Sequence, residues 1–255
     1  MIFRRYLPLA LPLAILSCAA PSALGPNGSV AIRPSSPTLV TQGAQAFKQM
    51  KASKRLSTNA TYRSQVNRVA SRLTQVINLP NAQWEFVVFE DSTPNAFALP
   101  GGKVGVNSGL FQITQNDAGL ATVLAHEIAH VTSNHADARI KNQTGIGLGA
   151  AVLGSIIGGE SAESATQLLG SAGNIAFGLT FSRSQELEAD RIGTLFMARA
   201  GYDPNEAVAM WQRFAAYNNA NGSQGAEFLR THPLNETRIA ALREFLPVAQ
   251  KEYRN

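Results

Sequence analysis

The run His126-Glu127-Ile128-Ala129-His130 is where this 255-residue chain first offers chemistry. If the run is helical, the four-residue step from His126 to His130 advances about 400 degrees and about 6 Å along the axis, so both imidazoles stand on one face. Two neutral imidazole nitrogens so placed can bind one zinc ion. Glu127 follows His126 directly and is offset around the helix. That suits a base acting on water at the metal better than a further ligand.

A catalytic zinc site takes three protein ligands and leaves a position open. One histidine-rich pattern, HExxHxxGxxH, would need a glycine and a histidine where this chain has Ser133 and Ala136. His135 comes five residues after His130. On a continuous helix it would sit about 140 degrees around from His130, facing away, so its expected role is structural. The remaining source is a carboxylate on a second helix. Glu186-Leu187-Glu188-Ala189-Asp190 supplies candidates, and Glu186 and Asp190 share a face at i and i+4. One of them can bind zinc while the other orients a ligand from behind. The bland alternative is a solvated acidic patch paired with Arg183 and Arg191.

The elements that must position these groups are readable in outline. Leu120, Val123, Leu124, Ile128 and Val131 give a helical stripe from Asp117 to about Ala138, carrying both histidines. The carboxylates fall on a helix from Ser184 to Ala200, ended by Gly201. Asp203-Pro204 opens another helix to about Tyr217, Gly222 and Gly225 mark a loop, and Leu234 to Phe245 is the last helix, with Pro247 after it. Upstream, a helix is expected from near Ala44. A clearer one runs from Ala60 to Asn78 and is stopped at Leu79-Pro80. Trp84 to Phe89 reads as a strand. Ala96 to Leu99 and Val104 to Val106 read as two more, around Pro100-Gly101-Gly102. Such a hairpin can leave an edge open to an extended peptide, or it can be an ordinary hairpin. Between Gly145 and Gly158 no charge occurs, and Ala150, Gly154 and Gly158 repeat at four-residue spacing. That suggests a buried or interface helix with close backbone packing, or a flap over the site. It is too short for the roughly 20 apolar residues of a membrane span.

The whole chain bounds the setting. Hydrophobic residues at 45% allow a sizeable core, while charged residues at 15% are few for a soluble enzyme. Arg4 and Arg5, then an apolar stretch from Leu7 to Leu16, then Ser17-Cys18 read as an export signal over 1–17, whose end resembles a bacterial lipoprotein processing site. Cys18 is the only cysteine, so no intramolecular disulfide can form, and lipidation would consume the lone thiol. Residues 18–43, rich in Pro, Gly, Ser and Ala, are expected to be a tether. The net charge is +5, and no Asp or Glu occurs between Cys18 and Trp84. That basic stretch could lie against anionic head groups or be a solvated face. Nucleic acid is not an expected partner of an exported chain.

HEIAH, then Ser182-Arg183, then Glu186 with Ala189-Asp190, resembles the zinc endopeptidases related to HtpX and the CAAX prenyl proteases. Asn95 to Gly102 is similar to that family's strand before the catalytic helix, and His232-Pro233 with Arg238-Ile239 to its C-terminal motif. The likeness covers roughly residues 44 to 246, within an expected peptidase domain of 44–255, and is nearest to periplasmic lipoprotein members such as LoiP. It implies an α+β, mostly helical zincin-type core with a small β-sheet whose edge strand precedes the HExxH helix. It implies one zinc ion on His126, His130 and Glu186, with Glu127 as general base and Asp190 behind a ligand. Asn95, Ala96, Phe97 and Ala98 would hold substrate backbone. His232 would lie near the metal, either donating to the oxyanion or occupying the open position as a gate. The activity implied is degradation of misfolded or misassembled envelope proteins at the periplasmic face of the outer membrane, anchored through Cys18. A chaperone or assembly factor for outer-membrane proteins, with minor peptidase activity, is the alternative.

Overall fold

A computed structural model describes residues 22–80, 82–140, 180–222 and 226–253. Cys18 and the 145–158 run lie outside the described residues.

Helix starts are set by local caps. Ser36 accepts from Leu39 N–H ahead of Pro37, so α1 (Pro37–Ser53) begins seven residues before the expected Ala44. Asn59 caps α2 (Ala60–Gln75). Three strands follow: β1 (Glu85–Phe89), β2 (Ala96–Leu99) and β3 (Lys103–Asn107). The sheet order is β1-β3-β2, with β1 parallel and β2 antiparallel to β3. β2 is therefore an edge strand. Gly105 of β3 carries no side chain because a Cβ there would meet the Phe97 ring at 2.3 Å.

After a short α3 (Phe111–Thr114), Asn116 caps α4 (Asp117–Thr132), which is buried from Gly119 onward. It runs through the core with α2, β2 and the helices that follow packed around it. A capping box of Ser182 and Gln185 starts α5 (Arg183–Arg199). α6 (Asn205–Asn221), the single turn α7 (Phe228–Thr231) and α8 (Glu236–Gln250) complete the described helices. The last helix runs past Pro247, where a stop was expected. Proline removes one N–H, but the final turn buries Ala249 and sets Val248 against the backbone at Gly28. α4 and α5 lie close because Gly193 faces α4. A Cβ on Gly193 would fall 2.9 Å from the His126 backbone nitrogen.

The expected tether is part of this body from residue 22. Ala23 is fully buried, Leu24 bridges Val30, and Arg33 N–H donates to Thr132 O at 2.7 Å. The basic stretch is partly neutralised by acids further along the chain. Lys51 pairs with Glu85, Lys54 with Asp91 at 3.8 Å, and Arg68 with Asp117 at 2.6 Å. Among the described residues no helix is long and apolar enough to cross a membrane.

Candidate metal centre

α4 and α5 bring the three expected donors together. The Nε2 atoms of His126 and His130 are 3.1 Å apart. Glu186 places Oε2 at 3.5 Å from His126 Nε2 and Oε1 at 3.4 Å from His130 Nε2. His232, from the loop after α7, adds Nδ1 at 3.0 Å from Glu186 Oε1 and 3.3 Å from His126 Nε2. One ligand atom from each of these four buried residues lies within 4.8 Å of the others. Imidazole lone pairs and a carboxylate oxygen converging out of water need a cation or a shared proton between them. The donor set of two imidazoles and a carboxylate is one that zinc takes in catalytic sites, so these residues fit that ion.

Asp190 sits behind His126, with Oδ1 3.1 Å from Nδ1. That contact leaves His126 Nε2 turned to the cluster. Sequence reading left Arg238 without a role, yet it is central here. Its Nε and Nη2 each donate to Asp190 at 2.8 Å, and its Nη1 lies 2.6 Å from Glu186 Oε2. The signal available in the sequence was a lone arginine on the apolar face of the last helix, near Leu242.

Burial works against charge on His126, but the Asp190 and Glu186 carboxylates outweigh it and raise its pKa to about 9. The same negative field favours any cation at that point. Burial pushes His130 well below the usual imidazole range. Glu186 resists burial through His232, His126 and His130 and stays well below the usual carboxylate range. Asp190 is likewise held low despite burial, through Arg238.

Glu127 stands beside the donors. Its Oε2 accepts the Ala98 N–H at 3.1 Å, and its Oε1 lies 3.3 Å from His232 Nε2. Burial pushes its carboxyl up, the direction wanted in a group that must take and return a proton near neutral pH. A cleft of about 440 Å³ opens here, with Asn95 to Leu99 of the edge strand on one wall and Phe181 and His232 on the other. The Ala98 N–H points away from β3, so the unpaired edge of β2 faces Glu127.

His135 departs from expectation. α4 stops at Thr132, and Asn134 takes φ 57 before helix resumes over 135–140. The left-handed residue swings the next turn round. His135 Nδ1 consequently lies 2.8 Å from His130 Nδ1 instead of facing away. Its Nε2 lies 2.8 Å from Glu188 Oε2, and Glu188 also accepts from Ser22 Oγ at 2.6 Å and from Ala23 N–H. Burial raises the Glu188 carboxyl, but these bonds outweigh it and hold its pKa at about 2. Aromatic rings close the centre. Phe181 stacks on His130 at 3.7 Å between centroids, Phe228 stacks on His232 at 4.3 Å, and Trp211 meets His126 edge-on. None of these contacts follows from local periodicity.

A glutamate set beside a donor cluster, with a strand edge in reach, is the working arrangement of a zincin-like metallopeptidase. Residues 59–246 match Peptidase family M48, and the chain belongs to that family. It is 38% identical over 185 residues to the mitochondrial metalloendopeptidase OMA1 of Schizosaccharomyces pombe, covering 72% of this chain and 53% of that one. It is 34% identical over 206 residues to the beta-barrel assembly-enhancing protease of Yersinia pestis, covering 77% and 41%. The protein of that name in Escherichia coli is 32% identical over 213 residues, covering 79% and 42%. The chain thus spans about half the length, or less, of these curated relatives.

Proposed function

We propose that this metallopeptidase is a zinc-dependent endopeptidase of the bacterial cell envelope, cleaving misfolded or misassembled envelope polypeptides. The observation that carries the reading is Glu127, beside but not among the four donors, buried, and hydrogen-bonded to the Ala98 N–H of an edge strand. The names of the bacterial relatives support an envelope setting. The Ser17-Cys18 processing site supports a lipid anchor at Cys18 on the periplasmic face of the outer membrane.

His126, His130 and Glu186 hold one zinc ion. Bound there, zinc supplies Lewis acidity toward the scissile carbonyl and the attacking water. An extended substrate pairs with β2 along Asn95, Ala96, Phe97 and Ala98, taking up backbone groups of the unpaired edge. Glu127 then takes a proton from water and returns it to the leaving amine. Asp190 keeps His126 oriented. His232 lies with Nδ1 among the donors and Nε2 on Glu127, a placement that suits a gate that must move aside before substrate enters. Donation to the oxyanion is the alternative role.

Glu127→Gln in the full chain tests the reading. The expected result is wild-type zinc content with no cleavage of an unfolded protein, and envelope proteins accumulating relative to wild type. Full cleavage by the variant would overturn it. The word assembly in the bacterial relatives' names favours a second reading, a chaperone or assembly factor with minor peptidase activity. In that case Glu127→Gln still supports outer-membrane protein assembly.

A further inference from the structure

Glu188 points away from the metal-binding face of α5, and the chemistry above makes no use of it. It nevertheless joins three separate parts of the chain. Its Oε2 meets His135 Nε2 at 2.8 Å, and its Oε1 accepts from Ser22 Oγ and from the Ala23 backbone N–H. His135 in turn meets His130 Nδ1 through its own Nδ1 at 2.8 Å. His135 and Ala23 are buried, so water does not substitute easily for either contact.

Donor and acceptor roles follow link by link. A carboxylate only accepts, so the proton facing Glu188 sits on His135 Nε2. A metal on His130 needs its Nε2 bare, the atom that faces His126 and Glu186, and this puts the His130 proton on Nδ1. His135 Nδ1, 2.8 Å away, then serves as the acceptor of that hydrogen, with its own proton on Nε2 toward Glu188. The opposite His130 tautomer would set a hydrogen where a metal has to bind. The break at Asn134 makes this possible, because a continuous helix would have carried His135 to another face.

We infer that His135 and Glu188 are positioning residues that fix the tautomer and ring of His130, and that the Ser22–Ala23 arm completes the chain, so that docking of the N-terminal segment is felt at the metal centre. The inference rests on His130 being a metal ligand. The arm lies four residues beyond Cys18, a reach of at most about 14 Å, so attachment of the chain at Cys18 would act close to this link.

The test uses the full chain in two measurements. In the metal-free protein, nitrogen-15 NMR of labelled histidines reads the His130 tautomer, and competition with a chromogenic chelator reads zinc affinity. Wild type is expected to show protonated Nδ1 on His130. His135→Leu and Glu188→Gln are expected to weaken zinc ten- to a hundredfold and to populate the other tautomer. Ala23→Pro, which deletes the arm's N–H and also fixes its φ, should weaken zinc several-fold. His135→Gln, whose amide can accept from His130 and donate to Glu188, should recover most of the affinity. Should His135→Leu fold poorly, Ser22→Ala carries the same reading in milder form. An Nε2–H tautomer in wild type, or unchanged zinc affinity in folded Glu188→Gln and Ala23→Pro, overturns the inference. Unchanged affinity in Glu186→Gln would instead overturn the assignment of the metal centre.

Discussion

Arg238 grips Asp190 through two parallel hydrogen bonds, Nε to Oδ2 and Nη2 to Oδ1, each 2.8 Å long, with both side chains buried. The pair ties the last helix to the helix that carries Glu186. Removing one partner strands the other charge out of water. Arg238→Met should therefore cost about 3–5 kcal/mol of stability, read as a lowered urea midpoint. Arg238→Lys should recover only part of this, because an ammonium cannot make both bonds in the plane of the carboxylate. A variant as stable as wild type would show that the pair is incidental.

The two glutamates of α5 should separate in metal titrations. Glu186 points its oxygens at both histidine Nε2 atoms, whereas Glu188 reaches the cluster only through His135. Glu186→Gln should accordingly lose more zinc affinity than Glu188→Gln. The reverse order would mean that the wrong carboxylate has been assigned to the metal.

His232 spans the donor cluster and Glu127. As a gate, its removal opens the position that water and substrate need. His232→Ala should then raise basal cleavage of an unfolded protein several-fold, with a small loss of zinc affinity. A fall in kcat with zinc affinity unchanged would assign it to the oxyanion instead.

Asp117 opens α4 and accepts two hydrogen bonds from Arg68, at 2.6 and 2.7 Å. The Arg68 guanidinium holds the carboxyl below its usual range, against burial. A depressed acid adds stability at pH values above its unfolded pKa and loses that stability as the pH falls through its folded one. Asp117→Asn should therefore lower Tm by a few degrees at most near neutral pH, since the pair is partly exposed. The difference should vanish in strong acid. A gap between the two proteins that stayed constant with pH would assign the effect to packing.

The placement of the candidate donors was legible wherever one helix sufficed to show it. His126 and His130 four residues apart, and Glu186 and Asp190 four residues apart, each define a face by helical geometry alone. The hairpin around Pro100-Gly101-Gly102 left an open edge as one of two readings, and the sheet order makes Ala96–Leu99 an edge strand. Only the tertiary structure decided what those faces meet. Gly193 lets α5 approach α4 closely enough for Glu186 to reach both imidazoles. Asn134, in a left-handed turn, sends His135 back onto His130. Arg238 reaches Asp190 from 48 residues away, and Ser22 reaches Glu188 across 166. Periodicity is a property of neighbours along the chain. A positive-φ turn, a buried ion pair and a docked arm are stabilised by partners distant in sequence, so they appear only once the core has closed around them.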